Sequence, residues 1–523
     1  MKKALSLIIA ATMLVTMMAC SKAPETGNNI ENSGESKYRD TINIAVDVDA
    51  ETYTPIYFKN TTATRVGEFI YDGLIRLDET LTSQPALAES WEISDDGIVW
   101  TFHLRSDVKF SDGSDFTSAD VAYTYDEVRN EANNAPYRTR YTCITEIECP
   151  DDYTVVFHLE KPNTALLVYL NMGILPEGAL DIENFDSNPI GTGPYKVVSY
   201  EMNNVTALKA RDDYWAGTPA TENINIYVIN DNSVRLASLE AGDVDFVSSP
   251  LTASDLHLVE NNDKLIMNKV PGLGITYLGF NVADDIIGDL AVRQAIAYMV
   301  DKQTISDVIY SGMDTPGITP ILSFSWASSD KLKDYEYSKD KAVEVLDAAG
   351  WLDSDGDGIR EKDGKKLEFT LATHTDDTSR FQVVEFMQNQ LQSIGMKIDV
   401  SVTEWANFSA EMINRTHQVW VAGWLNLLDP DRMYDMFHSS SGTNYGNYGT
   451  AETDAALEDA RSTDNQTRRA EDYRMVAQYA TDDVWYVTML EQAYVSIHTN
   501  KLEGYTVYPS GSFYTLWQSQ IAE

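Results

Sequence analysis

The run Asp353-Ser-Asp355-Gly-Asp357-Gly358-Ile-Arg-Glu361 sets carboxylates at the alternating spacing that surrounds a calcium ion. It matches positions 1, 3, 5, 6 and 9 of a calcium-binding loop. Gly364 stands where the bidentate Glu of position 12 belongs, so the strongest ligand is missing. A Gly/Asp-rich turn between a helix and a strand is the competing reading. Strong catalytic signatures are absent. There is no Gly-x-Ser-x-Gly elbow, no His-Glu-x-x-His and no Walker A loop. Gly272-Leu-Gly274 and Gly191-Thr-Gly193 lack the third glycine of a dinucleotide loop. His103, His158, His257, His374, His417, His438 and His498 are dispersed, with no pair at metal-ligand spacing. With 81 carboxylates in the chain, nearly any Asp/Glu pair could be nominated for acid/base work, so none is singled out.

Cys20 carries a different chemistry. Met1-Lys2-Lys3 is a basic start, Ala4 to Ala19 is apolar or small, and Cys20 follows directly. That order describes an export leader over residues 1–19. The apolar stretch of about 16 residues is short of the roughly 20 that a spanning helix needs. A Cys after the small residue resembles a bacterial lipoprotein signal, which places a lipid on Cys20. The mature chain is then expected outside the cytoplasm, tethered to a membrane. Residues 20–37 are polar and rich in Gly, Asn, Ser and Glu, and read as a flexible tether with a reach of roughly 20–25 Å.

The remaining chain is long enough for roughly three domains. Its formal charge of −42 becomes −44 once Lys2 and Lys3 leave with the leader. Such a surface repels phosphate backbones, so nucleic acid is excluded as a partner. It also hints at basic cargo, although a surface average says little about a cleft. The 29 Tyr, 10 Trp and 16 Phe rule out a disordered acidic tail. Cys143 and Cys149 are permitted to pair in an exported protein. On one extended strand they would lie roughly 20 Å apart, against the 7 Å or so that a bridge allows, so pairing requires a turn between them.

From Thr41 the chain alternates strands and helices. Strand alternation is clear at Thr41–Val46, Val99–Leu104 and Tyr153–Leu159. Thr117 to Asp120 is a cap-like start, and Val121, Tyr125 and Val128 then share one helical face. Asn232–Ala241 reads as a helix capped by Asp231 and stopped by Gly242, and Ser338–Ala349 as one stopped by Gly350. Leu367–Ala372 is a strand, Phe381–Ile394 a helix closed by Gly395, and Gly395–Ser401 a further strand. Such alternation means packed α/β layers.

Four segments together resemble the extracytoplasmic solute-binding proteins of peptide/nickel ABC importers, the family of the oligopeptide- and dipeptide-binding proteins. They are Leu87 to Ser94 running on through Trp100–Arg105 and Val108–Gly113 to Val121; Ile190-Gly-Thr-Gly-Pro-Tyr-Lys196 with Asp213-Tyr-Trp215; Tyr277-Leu-Gly-Phe-Asn281 with Val292–Ala297 and Asp301-Lys-Gln303; and Gly423-Trp424 through Asp429-Pro430 to Asn444-Tyr445. They occur in the family's order and cover nearly the whole mature chain. The resemblance implies a bilobal α/β periplasmic-binding-protein-like fold of class II type, with an extra domain inserted in the first lobe. Residues 38–62, 189–270 and 496–523 would form lobe I, 63–188 its insert and 271–495 lobe II. Hinges are expected around Pro271–Ile275 and Ser496.

It implies a function too: a membrane-anchored binding protein that captures oligopeptides or dipeptides between its lobes and delivers them to a permease driven by a separate ATPase. Oligosaccharide or nickel-chelate cargo is the alternative, and an exported hydrolase the remote one. The chain would be a monomer and no enzyme, with no cofactor and no resident metal. A peptide backbone can pair with a strand edge whatever its side chains. The candidate edge is Gly423-Trp424-Leu425, facing Asp47–Tyr53. In many relatives an Asp three residues after the Trp binds the peptide amine; here that position is Leu427, and Asp429 is the next candidate, with an N-cap or turn before the helix near Met433 to Phe437 as the alternative. Arg380 is a candidate for a ligand carboxylate, with capping or exposure as the alternative. Tyr277, Asn281 and Trp405 complete the expected cleft.

Overall fold

The computed structural model describes residues 37–248, 255–256 and 259–523. Cys20, the leader and all of the tether but Lys37 lie outside the described residues. No helix of the described residues is long and apolar enough to cross a membrane. The expected elements occur near their expected bounds, as strands Thr41–Val46, Val99–Leu104, Thr154–Leu159, Glu368–His374 and Lys397–Thr403 and helices Ser118–Arg129, Asn232–Ala241, Lys339–Ala348 and Thr378–Gln392. Local chemistry explains their starts. The Thr117 N–H donates to the Asp120 carboxylate at 2.8 Å, a reciprocal cap. Asp231 and Ser338 accept from the backbone N–H groups of Val234 and Lys341. The Thr378 helix starts three residues before Phe381 because Asp377 caps it, accepting from Arg380 N at 3.0 Å.

One 11-stranded sheet runs through both lobes. Its first-lobe half holds, in order, Tyr195–Glu201, Val205–Ala210, Asn223–Val228, Thr41–Val46 and Phe246–Ser248. Its second-lobe half holds Val419–Trp424, Glu368–His374 and Lys397–Thr403, and the two-residue strand Thr315–Pro316 branches from it on Glu491 and Leu490. Two long antiparallel strands, Leu265–Phe280 and Tyr486–Thr499, join the halves. They pair from Leu265 with Thr499 to Pro271 with Ala493, lose register, and resume at Ile275 with Glu491. Pro271 has no N–H to give the ladder. At Gly272 a Cβ would come within 3.0 Å of the Gln492 carbonyl oxygen and 3.1 Å of the Tyr494 nitrogen, so a side chain there would press the partner strand's backbone. A separate four-stranded sheet, in the order Ala88–Ile93, Val99–Leu104, Thr154–Leu159, Ile144–Asp151, lies in the expected insert.

Ile42, Ile44, Phe69, Trp100, Tyr125 and Phe513 belong to one buried cluster, and Leu278, Phe280, Val292, Met387 and Val419 to another. The lobes also touch where Thr164 Oγ1 donates to the Ala460 carbonyl at 3.3 Å.

Cys143 and Cys149 flank or lie on the strand Ile144–Asp151, and both thiols are free. The extended chain between them holds them apart. The Asp353 loop closes on itself. Asp353 accepts from Gly356 N and Gly358 N, Asp357 from Ile359 N and Lys366, and Glu361 from Ser354 N. Asp353, Asp355 and Glu361 nevertheless keep oxygens within 4.8 Å of one another.

Candidate functional site

The helix Thr61–Ile70 builds one wall of a cavity of about 430 Å³. Asn60 caps it, its side-chain oxygen accepting from Ala63 N at 2.8 Å. Thr62, Val66, Phe69 and Ile70 are buried in the first-lobe core. Thr61, Thr64, Arg65 and Glu68, spaced by three and four, therefore share the other face and line the cavity. Arg76, on the short strand Ile75–Leu77, and Ser512 and Tyr514 of the C-terminal segment extend the first-lobe wall. The second lobe supplies Leu273 from the crossing strand and Leu425, Asn426 and Leu428 from the loop after Val419–Trp424. Leu427 N donates to the Leu273 carbonyl at 3.0 Å and ties that loop to the crossing.

Glu68 is a strongly perturbed acid of the wall. Its Oε2 accepts from Ser512 Oγ at 2.8 Å and Phe513 N at 2.7 Å. Burial pushes its carboxyl up to about 7, outweighing these bonds and nearby Arg65. Asp72, also on the cavity, accepts from Trp215 Nε1 at 2.9 Å and Tyr214 Oη at 3.1 Å, and burial raises it as well. Because the folded-state value of Glu68 lies above the ordinary carboxyl value, folding takes up a proton between them. Stability from this group is fully present below about pH 4.5 and is lost as pH rises through about 7. Glu68→Gln keeps an oxygen for Ser512 and Phe513 but does not ionise. Relative to wild type, its stability should rise between about pH 5 and about pH 8 by on the order of 1–3 kcal/mol, seen as a rising melting temperature. Parallel melting curves across that range would contradict the assignment.

Of the residues expected from the sequence, Leu425 reaches the cavity wall and is 58% exposed. Gly423 and Trp424 precede it on the same strand. A Cβ on Gly423 would overlap Arg380 Nη2, so the glycine admits the guanidinium. Trp424 is half-buried, stacks on Tyr445 at 6.3 Å and donates from Nε1 to Tyr486 at 3.2 Å. Arg380 bonds His374 at 3.0 Å and pairs with Asp377 at 3.2 Å. Burial and the Arg380 charge lower the His374 pKa, which fits a neutral ring accepting at Nε2. Trp405 is 52% exposed and packs edge-on to His374 at 5.0 Å.

Three others lie within the second lobe, away from this cavity. Tyr277 is buried and stacked on Tyr486 at 4.2 Å. Asn281 bonds the Arg415 carbonyl, Ala283 N and Asn447. Asp429 is 3% exposed and paired with Arg469 at 2.8 Å. The first-lobe wall is the Thr61 helix, and none of Asp47–Tyr53 lines the cavity. Asp49 instead accepts from Tyr200 Oη and Asn203 N, and Tyr53 bonds Thr206. Arg65, Glu68 and Arg76 were not expected. The three-and-four spacing of Thr61, Thr64, Arg65 and Glu68 was a usable signal, whereas nothing local marks Ser512 and Tyr514.

The model of the bacterial extracellular solute-binding proteins, family 5, matches residues 82–445, and the chain belongs to that family. It is similar to the oligopeptide-binding protein AppA of Bacillus subtilis, at 28% identity over 99% of this chain and 98% of that one. To the dipeptide-binding protein of Escherichia coli it is 27% identical over 82% of this chain and 84% of that one. The structure of the Bacillus subtilis protein in complex with a nonapeptide superposes with a TM-score of 0.71, covering 93% of this chain and 99% of that one. NikZ from Campylobacter jejuni in complex with Ni(L-His) gives 0.72 at 29% identity, covering 92% and 99%. The relatives are extracytoplasmic solute-binding components of ABC transporters, and the bilobal fold is theirs.

Proposed function

We propose that this chain captures a peptide in the cavity between its lobes, closes on it and delivers it unchanged to an ABC permease powered by a separate ATPase. The observation that carries this reading is a cavity of about 430 Å³ lined from both lobes beside the two crossing strands. That volume falls within the range of roughly 300–1,000 Å³ usual for ligand sites. The register break at Pro271–Ile275 and Glu491–Ala493 is the natural place for the backbone to bend, a few residues before the expected Ser496 crossover. In this reading 38–62, 189–270 and 496–523 move as lobe I with 63–188 attached, and 271–495 as lobe II. Leu425 and the backbone of Gly423-Trp424 meet the ligand, and Arg380 and Trp405 border it. A lipid on Cys20 holds the monomer at the membrane, and the protein does no covalent chemistry of its own.

The reading is tested by thermal shift with peptides of two to nine residues, oligosaccharides and nickel–histidine complexes. A ligand that binds only the native fold stabilises it by about 2.7 kcal/mol at 100 times its Kd. Peptides should raise the melting temperature. Stabilisation by sugars or nickel complexes alone would replace peptide by that cargo. Turnover of any of them by pure protein would end the non-enzymatic assignment.

A further inference from the structure

The acidity of the molecule does not extend to its cavity. Lys59, Arg65 and Arg76 line it, and none has a carboxylate in salt-bridge range among the described residues. Elsewhere Arg39, Arg293, Arg360 and Arg469 each hold one. Two acids share the wall, Glu68 close enough to Arg65 to feel its charge. Asp72 is committed to Tyr214 and Trp215, and Glu68 to Ser512 and Phe513. A smaller cavity of about 120 Å³ shares Glu68, Tyr71 and Tyr137 with the first and adds Arg140, again without a carboxylate.

Arg65 is fixed by its surroundings. Its guanidinium lies over the rings of Tyr494 at 5.0 Å and Phe513 at 5.7 Å. Its Nη1 donates to Ser248 Oγ at 3.2 Å, and its buried Nε has no acceptor among the described residues. Gly511 makes room, since a Cβ there would overlap Nη2. One of the five N–H groups of a guanidinium is therefore used. Arg76 is exposed and leans on Tyr514, donating to its hydroxyl at 2.9 Å. Planar forks with free donors suit a carboxylate.

We propose that the cleft selects acidic peptides, a side-chain carboxylate of the ligand being received by Arg65 and Arg76 on the first-lobe wall. The proposal rests on the peptide reading above and adds a charge requirement to it. The far field of an acidic protein works against such a ligand, so recognition comes from the short-range, desolvated contact.

The test is calorimetric titration with alanine hexapeptides whose two central residues are glutamate, glutamine or lysine, each with a free or an amidated C-terminus. The glutamate series should bind at least about tenfold more tightly than the glutamine series, with or without amidation. High salt should shrink the ratio. Arg76→Gln should bring it towards one. Lys397→Gln, which changes the net charge equally on an exposed second-lobe strand, should leave it unchanged. Equal binding of glutamate and glutamine peptides, or tighter binding of lysine peptides, overturns the charge requirement while the peptide reading stands. A preference that disappears on amidation assigns the site to the terminal carboxylate and overturns it as well. If no hexapeptide binds while an oligosaccharide or nickel–histidine complex does, both readings fall.

Discussion

Gly193→Ala should cost about 3 kcal/mol or more and weaken ligand binding at temperatures where the variant is still folded. Gly193 sits in the Gly-Thr-Gly-Pro run, and its N–H donates to the Ile70 carbonyl at 2.9 Å. A Cβ there would lie 2.6 Å from the Ile70 carbonyl carbon and 2.7 Å from both Phe69 O and Tyr71 N. All three are backbone atoms of the helix end and cannot swing aside as a side-chain tip can. Gly191 meets Ile70 O and the Tyr71 ring in the same way. The strain therefore passes into the C-terminal turn of Thr61–Ile70, the helix that carries Arg65 and Glu68. Gly442→Ala is the contrast, because nothing lies within 4 Å of its Cβ position and its backbone is unstrained; it should change stability by less than about 0.5 kcal/mol. The comparison is read from denaturation midpoints and from titration of one ligand well below them. Equal midpoints for the Gly193 and Gly442 variants would mean the helix end can yield.

This pair of glycines shows what was legible and why. The run resembled a family motif, but nothing in its residue types said that the glycines pack on a helix more than a hundred positions earlier. Caps and periodicities were legible because they act within one turn, as with Thr117 and Asp120 or Asp231 and Val234. The strand Leu265–Phe280 was not, because Pro271, Gly272 and Gly274 interrupt its pattern while a partner over 200 residues away keeps it extended. The site suffers most from such separations. Glu68 meets Phe513 across 445 positions. Leu425 was expected only as part of the Gly423-Trp424-Leu425 edge that the resemblance suggested, and it lines the cavity. Asp429 reads like any turn acid, and only the fold discloses the arginine beside it.

Asp429→Ala should be among the most damaging single substitutions in the second lobe, and for reasons unrelated to ligand. Asp429 Oδ1 accepts from Arg469 Nη2 at 2.8 Å and from Asp431 N at 2.9 Å. Arg469 is itself buried, over the Trp326 ring at 5.0 Å and the Tyr473 ring at 5.6 Å, and among the described residues its other hydrogen-bond acceptors are the Ala460 carbonyl and Tyr473 hydroxyl. Removing the carboxylate leaves a guanidinium charge buried without its counter-ion, an effect of about 3–5 kcal/mol. The neighbouring Asp431 holds Arg461 through two bonds of 2.7 Å and accepts from Tyr473 at 3.2 Å, so the disturbance reaches the end of the helix Ala451–Arg461. That end touches Thr164 of the other lobe. Replacing both partners, as in Asp429→Ala with Arg469→Met, removes the stranded charge and should recover part of the loss. An Asp429 that captured a peptide amine would behave otherwise. Its loss would leave the midpoint nearly unchanged and weaken free-amine peptides relative to N-acetylated ones. The geometry predicts the reverse on both counts: a large fall in the midpoint, partly recovered in the double variant, and an unaltered ratio between free and acetylated peptides in the protein that remains folded.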